Sequence, residues 1–243
     1  MRSKLWSLLA ASGAAFLIAT RVALAVVNGQ DDPSLARYAV MVLDDHGNMC
    51  TGAVVTQQAI LTAAHCVTDG KDWRIFWRGP DNAPVLVKPL TVRVHPGFVH
   101  NTHGSQNRSI DLAIVTLDEP LPTLFAPIPL SDDIRLAPGD PVSVAGYGFS
   151  EEKNRKTLGT MRRADLAVIE PFGHSTVLVW LSDPAQSGAG GCQGDSGGPL
   201  LYQGALIAIT FETTGNGKRD CGVLTQGTLI APHRDWILKS MAP

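Results

Sequence analysis

Beyond residue 25 the chain is a succession of short apolar runs separated by turn-forming residues, and this pattern limits the folds open to it. The runs are Ala39–Leu43, Gly52–Thr56, Arg74–Trp77, Val85–Val94, Leu112–Leu117, Pro141–Ala145, Asp165–Ile169, Thr176–Leu181, Ala205–Phe211 and Gly222–Thr225. Helical periodicity is scarce among them. Many short strands with Gly and Pro turns imply an all-β sandwich or barrels. A length of 243 residues with 44% hydrophobic content suits one compact unit, or two small barrels sharing an interface. Glu119 to Pro141 is rich in proline and lacks regular periodicity, so it reads as a connection. Pro232 to Ser240 suits a C-terminal helix, since proline is tolerated in a first turn.

The N-terminus has the form of a secretory signal peptide over residues 1–25. Arg2 and Lys4 give a positive start, Leu5 to Ala19 is a short apolar stretch, and Ala23-Leu24-Ala25 suits a small-residue cleavage site. The apolar stretch is too short to span a membrane comfortably, and Arg21 interrupts any extension. The mature protein is therefore expected outside the cytoplasm, in the periplasm or the extracellular space. The formal net charge is -2, and losing Arg2, Lys4 and Arg21 makes the mature chain about three units more negative. No basic cluster with interleaved aromatics is present, which argues against nucleic acid as a partner. All four cysteines follow residue 25, and an even number in an export context favours disulfides. No close Cys-x-x-Cys pair supports a zinc site.

Three segments carry chemistry. In Gly194-Asp195-Ser196-Gly197-Gly198-Pro199, Gly194 can adopt the positive φ of a tight turn. Such a turn can aim the N–H groups of Gly194 and Ser196 at one point, where they would stabilise a developing oxyanion. Leu61-Thr62-Ala63-Ala64-His65-Cys66 puts a histidine among small residues, where it can act as a general base near neutral pH. In Ser109-Ile110-Asp111-Leu112-Ala113-Ile114-Val115 an aspartate is embedded in an apolar run. Burial without a partner would be costly there, and a hydrogen bond to the Nδ1–H of His65 would satisfy it.

The order His65, Asp111, Ser196 is the chymotrypsin order, and the chain resembles the chymotrypsin/trypsin-like serine peptidases. Five stretches carry the resemblance: Val26-Val27-Asn28-Gly29, Thr62 to Cys66, Ile110 to Val115, Ala145-Gly146-Tyr147-Gly148, and Cys192 to Leu200. The resemblance implies an all-β fold of two antiparallel six-stranded β-barrels with a C-terminal helix. Barrel 1 would cover about residues 26–120, the crossover 121–140, barrel 2 141–230 and the helix 232–240, with Trp236 and Ile237 facing barrel 2. It selects the disulfides Cys50–Cys66 and Cys192–Cys221 from the three possible connectivities. It makes His65, Asp111 and Ser196 the catalytic residues and Gly194 and Ser196 the oxyanion hole, with no metal or cofactor. Polypeptides would be the substrates, proteinaceous inhibitors possible partners, and the protein a monomer. Val26 matches the new N-terminus whose amine, in this family, inserts beside the aspartate preceding the nucleophile, here Asp195. Cleavage after Ala25 would then produce the active form without a separate zymogen step.

Substrate preference is read from the same alignment. Gly190 stands six positions before Ser196, at the base of the primary pocket, where trypsin-like enzymes carry an aspartate. With Gly191 and Gln193 it implies a roomy, uncharged pocket suited to aromatic or aliphatic side chains. Thr210-Phe211-Glu212 stands where relatives usually have Ser-Trp-Gly. Glu212 would narrow the pocket, offer a carboxylate to a basic side chain, or point to solvent. The rival functions are a catalytically silent binding protein of the same fold, a narrowly specific processing peptidase, and a peptidase for basic residues using Glu212. His95, His100 and His103 have no recognised ligand spacing, and Asn107-Arg108-Ser109 is a formal glycosylation sequon.

Overall fold

A computed structural model describes residues 26–68, 70, 72–100, 109–132, 135–169 and 176–241. The signal-like segment, His103, and Asn107-Arg108 lie outside these residues. Among the described residues no helix is long and apolar enough to cross a membrane.

Among the described residues fourteen strands form two seven-stranded antiparallel sheets. The first contains β2 (Ala39–Leu43), β3 (Met49–Val54), β4 (Ala59–Thr62), β5 (Arg74–Arg78), β6 (Pro84–Val87), β7 (Thr91–Val94) and β8 (Ala113–Thr116), in the order β6-β5-β2-β3-β4-β8-β7. The second contains β1 (Gln30–Asp31), β9 (Pro141–Gly146), β10 (Arg162–Ile169), β11 (Leu178–Ser182), β12 (Pro199–Tyr202), β13 (Ala205–Thr214) and β14 (Leu224–Leu229). Its order is β1-β10-β11-β14-β13-β12-β9, and pairing of β9 with β10 closes six of these strands into a barrel. The first sheet is a half-barrel, open between β6 and β7 among the described residues. This is the expected chymotrypsin-like architecture of two β units, with a short extra strand from the N-terminal segment added to the edge of β10.

Alternation explains the closed barrel. Along β10, Arg162, Ala164, Leu166 and Val168 are buried, while the intervening residues are partly or fully exposed. That is the period-2 pattern of a strand with one face on the core. Leu166 and Val168 pack with Val142, Val144, Leu181 and Leu200. Strands β4 and β8 are buried at every position, because one face lines the half-barrel and the other meets neighbouring chain. The expected run Val85–Val94 is two strands. Pro89 has no N–H to donate to a ladder, and after it the Leu90 N–H turns to the Thr116 carbonyl at 2.8 Å. Thus β6 pairs with β5, whereas β7 pairs with β8 at the opposite edge.

The C-terminal helix corrects one expectation. A short 3₁₀ turn at Ala231–His233 precedes α1 (Arg234–Met241), which lies against β8 of the first sheet rather than facing the second barrel. The Trp236 ring stands 4.7 Å from that of His95, and Arg93 Nη1 donates to the Ser240 carbonyl at 2.7 Å. Ile237 is fully buried in a cluster with Ile60, Leu112 and Ile114 that also takes in Ile209 and Ile230. Ile230 at the end of β14 already sits in this cluster, so the chain leaves the second barrel at the seam and the helix falls across onto the first sheet. His95 is engaged in this packing, and its Nδ1 accepts from the Gly97 N–H at 3.0 Å.

This docking predicts that Ile237→Ala lowers unfolding free energy by about 2–4 kcal/mol, the usual cost of a buried large-to-small change. Leu238→Ala, at a position 45% exposed, should cost less than about 0.5 kcal/mol. Urea denaturation of both variants checks the orientation of the helix.

Candidate active site

His65 sits on a single 3₁₀ turn, Ala64–Val67, that follows β4. Asp111 lies just before β8, the neighbour of β4 in the sheet. The pairing therefore brings the two residues together. His65 Nδ1 stands 2.5 Å from Asp111 Oδ2, and the His65 backbone N–H donates to Asp111 Oδ1 at 2.9 Å. The carboxylate is fully buried, while the histidine side chain keeps 25% exposure. Both carboxylate oxygens are thus used on one residue, Oδ2 on its ring and Oδ1 on its backbone, which answers the cost of burying a polar group. With Nδ1 protonated toward Asp111, Nε2 carries a lone pair.

Ser196 approaches from the second barrel. The disulfide Cys50–Cys66 forms the contact surface: Cys66 Sγ lies 3.6 Å from His65 Nε2 and 3.7 Å from the Ser196 carbonyl oxygen. Thr51, fully buried on β3, clamps the loop that bears Ser196. Its N–H donates to the Ser196 carbonyl at 2.9 Å, and its hydroxyl donates to the Gly194 carbonyl at 2.8 Å. The same hydroxyl accepts from the Tyr147 N–H at 3.1 Å.

The loop bends through two positive-φ glycines, Gly194 at +97° and Gly197 at +80°. A β-carbon on Gly197 would stand 2.1 Å from Thr62 Oγ1 and 2.2 Å from the Thr51 carbonyl oxygen, so only glycine is accommodated there. The Asp195 N–H donates to the Cys192 carbonyl, Gly197 N–H to Thr210, and Gly198 N–H to Asp195. The N–H groups of Gly194 and Ser196 have no protein acceptor among the described residues.

Asp195 is completely buried, accepting from the Gly148 N–H at 2.8 Å and the Cys192 N–H at 2.9 Å. Burial pushes its pKa up from 3.8 to about 7, outweighing those two hydrogen bonds and the Arg162 charge. The segment after residue 25 is docked nearby. Val26 is fully buried in the second barrel's core, and the Val27 carbonyl accepts from the Gly190 N–H at 3.0 Å. Val27 packs against Phe149 and the Cys192–Cys221 disulfide, whose bond is formed. Asn28 Nδ2 reaches the carbonyls of Ser187 and Gly188 at 3.0 and 3.2 Å.

Among the remaining sequence-predicted residues, Gly190 and Gly191 are buried, and Gln193 is exposed beside Gly194. Thr210 is buried on β13, and Phe211 and Glu212 are half-buried where the ladder shifts register between Thr210 and Glu212. Asp220 pairs with Lys153 at 2.7 Å in solvent, consistent with a solvated loop charge. Sequence reasoning missed Thr213, Thr225 and Gln226. The Gly191 N–H donates to Thr225 Oγ1 at 3.0 Å, and β14 pairs Thr225 with Thr213 and Gln226 with Glu212. A strand at Gly222–Thr225 was legible, but its partner across a long polar loop was not.

A histidine held by a buried aspartate, with a serine in a glycine-rich loop across the same disulfide at the seam of two β units, is the arrangement of the chymotrypsin-like class of serine peptidases. A family model described as Trypsin matches residues 26–237, and the chain belongs to that family. It is 28% identical over 214 residues to brachyurin of Leptuca pugilator, covering 84% of this chain and 92% of that one. Chymotrypsin of Phaedon cochleariae is 26% identical over 227 residues, with 88% and 81% covered. Among solved structures, human heparin binding protein superposes with a TM-score of 0.73 at 20% identity, covering 89% of this chain and 98% of that one. A scabies mite inactivated protease paralogue gives a TM-score of 0.68 at 24% identity, with 87% and 97% covered. By family the protein is a serine-type endopeptidase acting on polypeptides.

The Asp195 environment yields a signed pH dependence. While Ala25 is attached, Val26 carries an amide and no ammonium. The folded state then holds a proton on Asp195 up to about pH 7, whereas the unfolded chain releases it near 3.8. Stability falls with pH wherever the folded state binds more protons. The uncleaved chain should therefore lose stability between about pH 4 and pH 7. Asp195→Asn should remove that component, and denaturation midpoints of the pair across this range measure it.

Proposed function

We propose that the protein is an exported serine endopeptidase in which Ser196 is the nucleophile and His65 its general base, oriented by Asp111. The observation that carries this reading is the double hold of the buried Asp111 carboxylate on His65, with Ser196 across the same disulfide. Ser196 Oγ attacks the substrate carbonyl as His65 Nε2 takes its proton, giving a tetrahedral intermediate. The N–H groups of Gly194 and Ser196 receive the oxyanion, a role supported by their having no acceptor among the described residues. Collapse with protonation of the leaving amine leaves an acyl-enzyme, and water hydrolyses it.

Export and activation are proposed to be one event. Cleavage after Ala25 would create an ammonium on Val26, which is already buried in the second barrel. A buried carboxylate and a buried ammonium are tolerable together and costly apart, so the amine would pair with Asp195 and hold it ionised. The primary pocket is proposed to take uncharged side chains, because Gly190 and Gly191 bring no charge to its base. The mature enzyme is proposed to be a monomer outside the cytoplasm, open to proteinaceous inhibitors.

A peptide-library digest read by mass spectrometry, with protein beginning at Val26, tests this function. Ser196→Ala should lower kcat by roughly 10³–10⁶-fold and Asp111→Asn by about 10⁴-fold. Cleavage surviving in Ser196→Ala would refute the nucleophile. Preferred cleavage after lysine or arginine would keep the peptidase and point to Glu212. No cleavage by folded protein would favour a silent binding protein. One additional residue before Val26 should depress kcat/KM by at least about tenfold. Full activity in that extended form would refute the activation mechanism.

A further inference from the structure

We infer that Thr213 and Thr225 close the primary pocket over Gly191, so that the enzyme prefers small uncharged residues immediately before the scissile bond. This rests on the peptidase reading and narrows it. Two glycines at the base of a pocket leave room only if the facing wall does not fill it. Here the facing wall does.

Gly190 and Gly191 run into Cys192, whose disulfide to Cys221 ties this side of the pocket to the loop before β14. Opposite them stand the last residues of β13 and the first of β14. Thr213 and Thr225 are direct cross-strand partners, so their side chains are neighbours on one face of the ladder. That face looks onto Gly191. A β-carbon placed on Gly191 would stand 2.5 Å from Thr213 Cγ2 and 3.4 Å from Thr225 Cγ2. One on Gly190 would meet Thr225 Oγ1 at 3.2 Å and Gly222 Cα at 3.1 Å. The space beside Gly191 is taken by the Thr213 methyl with Thr225 next to it, and the space beside Gly190 by the Thr225 hydroxyl and the Gly222 backbone.

The plug is held in place. Thr225 is almost fully buried, and its hydroxyl accepts the Gly191 N–H. A β-branched side chain has few χ1 choices in a strand, and swinging Thr225 aside would leave a buried N–H without its acceptor. Glu212 precedes Thr213 beyond the register shift and pairs with Gln226, so strand alternation sends its side chain to the other face. Its carboxylate is therefore not aimed at the glycine base. The pocket that results is uncharged and shallow, suited to alanine, serine, threonine or valine and too short for phenylalanine.

The test uses protein beginning at Val26 with a peptide series varied only at the residue before the scissile bond, as Ala, Val, Leu, Phe or Lys. A matching series of peptidyl phosphonates, which label an activated serine without turnover, gives a second ranking. One methylene in such a pocket changes discrimination roughly 10–200-fold, so kcat/KM and labelling rate for Ala or Val should exceed those for Phe by at least about 100-fold. Thr213→Gly should move the Phe:Ala ratio toward Phe by at least about tenfold. Thr225→Ala should move it the same way, whereas Thr213→Val, of the same shape, should shift it less than about threefold. Phe accepted as well as Ala, preference for Lys, or an unchanged ratio in both Thr213→Gly and Thr225→Ala would overturn the plug while leaving the peptidase intact. Folded protein that neither cleaves nor labels would instead overturn the peptidase reading on which the plug depends.

Discussion

Thr51 is the point on which the arrangement turns, because it fastens the Ser196 loop of one β unit to the sheet of the other. Its N–H and hydroxyl hold the carbonyls of Ser196 and Gly194, and its hydroxyl also receives the Tyr147 N–H. Its own carbonyl accepts from Thr62 Oγ1 at 2.8 Å. Thr62 ends the strand that leads to His65. One fully buried residue therefore sets the distance between the histidine strand and the serine loop. Buried hydrogen bonds of this kind are costly to leave unmade, so the seam has little freedom to slide.

The two buried carboxylates near the seam are satisfied in different ways. Asp111 has both oxygens on His65, within the first sheet. Asp195 is hydrogen-bonded by the neutral N–H groups of Gly148 and Cys192 and feels the Arg162 charge, and burial still raises its pKa to about 7. The difference suits their proposed roles. Asp111 is complete once the first sheet has formed, whereas Asp195 still lacks a full counter-charge. An ammonium at the already buried Val26 would supply it, coupling chain processing to the shape of the loop that bears Ser196.

Much of the site was legible because each chemical residue lies in a local context that betrays it. Asp111 stands out in an apolar run, His65 follows a buried strand, and Ser196 is ringed by glycines, of which Gly194 has the expected positive φ. The two disulfides followed from family likeness. What escaped reading depended on pairing at a distance. The partnership of Thr213 with Thr225 runs across a polar loop and past a register shift, so no local pattern announces it. An amphipathic helix declares that Trp236 and Ile237 are covered, but not which sheet covers them. The break at Pro89 is different, since the missing N–H was visible in the sequence and the alternating apolar run around it concealed its effect.

The central claim is that Ser196 forms a covalent acyl intermediate with help from His65 and Asp111. Rapid-quench intact-mass measurement, using protein that begins at Val26 and a slowly deacylated peptidyl ester, tests this most directly. The account predicts a burst of one acyl group per chain, mapped to Ser196, that slows by orders of magnitude in Asp111→Asn. Acylation at another residue, or a burst of equal size in Ser196→Ala, would contradict it.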